Sequence, residues 1–106
     1  MTVSSKKLAD GSVIVYASGR IDQMQTPHLS QVLTDLLAEG HDRLIVNLTK
    51  ATYINSGGLR CLVSAWRQAR QSGGDLTLCG LNARLEEIFV MVGFDKVFRI
   101  EPVCES

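Results

Sequence analysis

At 106 residues, 45% of them hydrophobic and 21% charged, the chain is long enough for one small domain to bury a core without disulfides or a structural metal. Eleven basic residues balance eleven acidic ones, so no overall field draws it to nucleic acid. The polar start from Met1 to Asp10 carries no secretory pattern and no apolar run reaches membrane-spanning length; the expectation is a cytoplasmic protein without direct membrane insertion.

Residues 12–18 read as a strand, with Val13, Ile14, Val15 and Tyr16 in a continuous apolar run after the turn-prone Asp10-Gly11 pair; residues 3–8 are its hairpin partner. Thr26 and Pro27 open a helix in which Leu29, Val32, Leu33, Leu36 and Leu37 recur at helical spacing, and Gly40 stops it. Residues 44–48 form a second apolar strand, extended by 51–54, with Ser56 just past its carboxyl end. A second helix presents Leu59, Leu62, Val63, Trp66 and Ala69 on one face and ends at Gly73-Gly74. After a short strand at 76–79, Asn82 caps a third helix striped by Leu85, Ile88, Phe89 and Val92 and closed by Gly93. A last strand spans 97–100, and 101–106 reads as a loose tail.

This alternation predicts an α/β fold: a mixed β-sheet of about four to five strands with parallel portions and right-handed crossovers, covered by three main α-helices. It occupies a single domain over residues 1–106, with its core at about 12–100.

The segment Asn55-Ser56-Gly57-Gly58 places a hydroxyl at the mouth of the second helix. Four backbone amides lack intrahelical partners there and the peptide dipoles leave partial positive charge, so a phosphate on Ser56 would be accommodated. Helix capping is the plainer use of the same residues. Ser56, the Gly19 to Asp22 loop and Gly80 are expected to meet at the sheet's carboxyl rim; Asp22, a carboxylate just after a strand, is expected to be exposed there, with a turn or capping role as its plainer use.

Enzyme chemistry is not expected. His28 and His41 carry no motif marking either as a base, and Ile54 stands where a nucleophile elbow needs glycine. The glycines form neither a phosphate loop nor a dinucleotide fingerprint, and Glu86-Glu87 reads as a solvated helix face. No catalytic residue, cofactor or metal site follows. Cys61, Cys79 and Cys104 are odd in number and lack metal-ligand spacing, which predicts buried or incidental thiols rather than a disulfide framework.

With Gly19-Arg20-Ile21-Asp22 closing the first long strand, and Val46-Asn47-Leu48 followed by Tyr53-Ile54-Asn55-Ser56-Gly57-Gly58-Leu59, the chain over residues 12–100 resembles the STAS family, in particular its small anti-sigma factor antagonists. Gly19-Arg20-Ile21-Asp22 is similar to that family's Gly-x-Leu/Ile-Asp loop. Val46-Asn47-Leu48 followed by Tyr53-Ile54-Asn55-Ser56-Gly57-Gly58-Leu59 is similar to its central strand and Asp-Ser-Ser/Thr-Gly-Leu segment; Gly73-Gly74-Asp75-Leu76 and Val92-Gly93-Phe94 also match. The resemblance implies partner switching. The unmodified protein would bind an anti-sigma factor serine kinase and free its output protein, the kinase would phosphorylate Ser56 and weaken the complex, and a PPM-type serine phosphatase would reverse this. The implied partner-binding surface comprises Asp22, Asn55, Ser56, Gly57, Gly58 and Leu59. Asn55 replaces the motif's usual aspartate, keeping an acceptor oxygen without the charge, and Gly57 replaces the second hydroxyl, leaving Ser56 as the sole acceptor. The alternative is an unphosphorylated STAS structural subunit of a transporter or signalling complex. The sequence fixes no oligomeric state.

Overall fold

The computed structural model describes residues 2–104. An antiparallel hairpin of β1 (Thr2–Lys7) and β2 (Val13–Ile21) leads into α1 (Thr26–Ala38). There follow β3 (Arg43–Asn47), β4 (Ala51–Ile54), α2 (Ser56–Gln71), β5 (Asp75–Cys79), α3 (Ala83–Met91), a 3-10 turn at Phe94–Lys96 and β6 (Arg99–Glu101). The sheet runs β1-β2-β3-β5-β6, with every pair parallel except the hairpin, and β4 attaches to the far end of β2. The expected mixed sheet under three helices is present, with six strands rather than four or five.

Alternation along the strands sorts side chains between two faces. Val13 pairs with Leu44 and Leu44 with Leu76; Val15 pairs with Val46 and Val46 with Leu78. These rows are buried in one cluster with Leu29 and Leu33 of α1, Leu62 of α2, and Leu85 and Phe89 of α3. All three helices therefore contribute to one side of the sheet. The opposite face carries the mixed row Tyr16, Asn47, Cys79 and Glu101, aligned by the same registers.

The sixth strand arises because residues 51–54 do not prolong β3. Thr49 N–H donates to Asn47 Oδ1 at 2.9 Å and Ala51 N–H to the Leu48 carbonyl at 3.0 Å, turning the chain aside. β2 is long enough to serve both neighbours, pairing β3 through Val13–Tyr16 and β4 through Gly19–Ile21. The swerve sets Ile54 against Ile21 and so carries Ser56 to the end of β2.

Three further expectations need correction. The last strand begins later than residue 97, because Phe98 turns into the core and meets Trp66, Phe89 and Phe94 edge-on at centroid separations of 6.1, 6.4 and 5.8 Å. Its end lies later too: Glu101, expected to begin the tail, is the final residue of β6, while Glu105 and Ser106 fall outside the described residues. Finally, Cys79 and Cys104 form a disulfide rather than two thiols, leaving Cys61 free and half-buried. An odd cysteine count conceals one pair plus one thiol, and the parallel approach of β6 to β5 is what brings the paired residues together.

Candidate functional site

Asn55, with φ −92° and ψ 177°, is the N-cap of α2, and its Oδ1 accepts from Gly58 N–H at 2.8 Å. The same oxygen accepts from Thr26 Oγ1–H at 3.2 Å, which fastens the start of α1 to the start of α2. Asn55 N–H donates to the Ile21 carbonyl at 3.0 Å, continuing the β2–β4 pairing to the cap itself. Capping thus falls to Asn55. Ser56 is the first helical residue, is exposed, and its hydroxyl makes no hydrogen bond among the described residues.

Gly58 is required by contact rather than by backbone angle. A Cβ there would stand 2.7 Å from Ile54 Cγ1 and 3.1 Å from Ile21 Cγ2, closer than packed carbons tolerate. At Gly57 the same atom would meet Asn55 Oδ1 at 3.4 Å and Thr26 Cγ2 at 3.6 Å, in ordinary contact. Leu59 packs half-buried against the core. No acidic residue occupies the first turn of α2, and the Arg60 guanidinium lies 3.8 Å from the Gly57 Cβ position. The mouth is electropositive, with the Ser56 and Gly57 amides lacking intrahelical acceptors.

Asp22 is brought to this region by the loop that opens α1. Its Oδ1 accepts from Met24 N–H at 3.1 Å and Gln25 N–H at 3.2 Å, and its carbonyl accepts from Thr26 N–H at 2.9 Å. It organises the turn that holds Thr26 against Asn55. Gly80 is not part of the cluster; it lies beside Cys104, whose sulfur would be 3.2 Å from a Cβ at that position.

Other neighbours of the site are set by the tertiary fold rather than by local sequence. Arg20 stacks over the Tyr53 ring at 4.3 Å from its centroid, joining β2 to β4 below the mouth. Met24 projects from the Asp22 turn with 77% of its surface exposed. Thr26 both opens α1 and ties it to the cap of α2. The sequence shows Met24 beside Asp22, but its exposure, like the Arg20–Tyr53 and Thr26–Asn55 contacts, is set by the folded chain.

Cys61, on the second turn of α2, is not activated by the helix end: burial pushes its thiol above the usual range, partly offset by a hydrogen bond with Ser30 of α1. Among the described residues there is no cluster of His, Cys, Asp and Glu that could hold a metal, and no helix is long and apolar enough to cross a membrane.

A STAS domain family model matches residues 4–106. BtrV of Bordetella bronchiseptica, a protein assigned as an anti-sigma factor antagonist, is 32% identical over 97 residues, covering 92% of this chain and 81% of its own. The anti-sigma-B factor antagonist of Listeria monocytogenes is 26% identical over 103 residues, covering 97% and 90%. Bacillus SpoIIAA superposes in its unphosphorylated form with a TM-score of 0.78, at 11% identity, over 98% of this chain and 90% of that one. Its phosphorylated form gives 0.75 at 13% identity, over 93% and 90%. At those identities the likeness to SpoIIAA is one of fold.

Proposed function

Since the chain belongs to the STAS domain family, we propose that it is a cytoplasmic, non-enzymatic anti-sigma factor antagonist, acting as one domain over residues 1–106 and switched at Ser56. Unmodified, it binds an anti-sigma factor serine kinase through the Asp22 turn, Asn55, Ser56, Gly57, Gly58 and Leu59. The kinase phosphorylates Ser56 and a PPM-type serine phosphatase resets it. The observation that carries this reading is the division of labour at α2: Asn55 caps the helix, which leaves the Ser56 hydroxyl exposed at the helix N-terminus, without a hydrogen bond among the described residues.

A phosphate adds about 1.5 to 2 negative charges at neutral pH. In the free domain the amides and dipole of α2 offset that charge; in a complex packed closely around a neutral serine it must be desolvated. One modification therefore stabilises the free state and opposes the bound one. Inverting a binding equilibrium from 1:99 to 99:1 needs about 5.5 kcal/mol of differential affinity, a size within reach of a charged group buried without a partner.

Wild type, Ser56→Ala and Ser56→Asp, expressed in the native host and recovered with bound partners identified by mass, test the proposal. The expected result is a serine-kinase anti-sigma factor retained by wild type and Ser56→Ala but lost from Ser56→Asp. Equal retention by all three, or recovery of transporter subunits without a kinase, overturns it in favour of a structural subunit.

A further inference from the structure

We propose that the Cys79–Cys104 disulfide is a reversible strap, independent of Ser56, that pins residues 102–104 across the helix-free face of the sheet and lets go on reduction. Cys79 is 1% exposed in the Tyr16, Asn47, Cys79, Glu101 row, whereas Val103, next to its partner, is 72% exposed. The bond joins a fixed strand to an exposed segment. Residues 102–104 help wall a cavity of about 700 Å³ whose other side includes Tyr16, Asn47, Thr49 and Lys50.

Two features confine the effect of opening to this segment. The chain between the cysteines is held without them, because Phe89, Phe94 and Phe98 lock α3 and the 3-10 turn onto the core. Beyond Phe98, β6 pairs with β5 over only three residues, and Gly80 N–H donates to the Glu101 carbonyl at 3.1 Å. Past that bond the remaining ties among the described residues are the disulfide and the Thr49 Oγ1 contact to Cys104 Sγ at 3.7 Å.

The chemistry is thiol–disulfide exchange with a dithiol reductant. A reductant thiolate attacks the more accessible Cys104 sulfur, forming a mixed disulfide and expelling the Cys79 thiolate. The second reductant thiol, as its thiolate, displaces Cys104, so the dithiol becomes a disulfide and its two protons pass to Cys79 and Cys104. Two electrons are transferred, and oxidation by a small disulfide reverses the sequence. The oxidised form keeps the Tyr16–Cys79 row roofed; the reduced form opens it.

The whole chain, equilibrated in oxidised or in reduced glutathione or dithiothreitol, is denatured and labelled with a maleimide, and in parallel its backbone amide exchange is followed in the folded state. The expected result is one labelled cysteine, Cys61, in the oxidised sample and three in the reduced one. On reduction, exchange at the Glu101 amide and at Gly80, whose N–H donates to the Glu101 carbonyl, should rise at least tenfold while residues 13–17 and 44–46 stay protected. Cys104→Ser should show two labelled cysteines and the exchange of the reduced wild type in either buffer, and Cys61→Ser should keep the full exchange response. Three labelled cysteines at every poise overturn the proposal by showing that no bond forms. Exchange that rises throughout the sheet, or nowhere, overturns it by showing a structural staple or an idle bond.

Discussion

The mouths of α2 and α3 are built alike and finished differently. Each helix follows a strand and opens on an asparagine in extended conformation, and each asparagine Oδ1 accepts from the amide three residues on, at 2.8 Å for Asn55 and 2.9 Å for Asn82. At α3 the remaining polar capacity is used: Asn82 Nδ2 donates to the Ala51 carbonyl at 3.0 Å, and Glu86 stands in the first turn against the helix dipole. At α2 there is no first-turn acid, and a free hydroxyl follows the cap. The cap itself therefore marks structure. What marks α2 as a candidate switch is the unbalanced charge and the exposed serine one residue later.

Substitutions sharpen that contrast. The largest effect is expected at Gly58→Ala: a helical Gly to Ala change ordinarily gains up to about 1 kcal/mol, but the clash with Ile54 and Ile21 reverses the sign to a cost of about 1–3 kcal/mol in denaturant unfolding. Gly57→Ala, which meets only ordinary contacts, should instead be neutral or slightly stabilising. Next come the caps, where Asn55→Ala and Asn82→Ala should each cost about 1–2 kcal/mol, since each loses a cap and a second side-chain bond. Equal costs would confirm that the two mouths share one structural device. The smallest effect separates them: Ser56→Asp should stabilise the free domain by about 0.3–1 kcal/mol, with Ala83→Asp gaining less because Glu86 already answers the dipole. Equal gains at both positions in low salt would remove the electrostatic distinction.

Local signals made the helices legible. The apolar stripes of α1 and α2 survive folding because each helix buries a single face, whereas the stripe expected for α3 is cut short: Leu85 and Phe89 are buried, but Val92 is the C-cap and is exposed. The strand rows Val13–Leu44–Leu76 and Val15–Val46–Leu78 were legible as apolar runs, though not as partners. Tertiary choices were not visible. A short apolar stretch does not say whether it extends β3 or crosses to β2, and the Asn47–Thr49 turn decides this for residues 51–54. Phe98 left its expected strand because three aromatic rings accept it in the core. The Cys79–Cys104 pair was missed because pairing follows from the placement of β6, which no spacing of three cysteines encodes. At the site, Ser56 and its glycines could be read directly, while the role of Asn55 as the actual cap and the tie to Thr26 required the two helix ends to be brought together.

The most direct test of the account is intact-mass analysis of the chain isolated from its native host, with fragment mapping and a phosphatase-treated control. The expected result is a fraction of molecules heavier by one phosphate, located on Ser56 and removed by the phosphatase. A chain without phosphate on Ser56, under conditions where the host's other serine switches are phosphorylated, would contradict it.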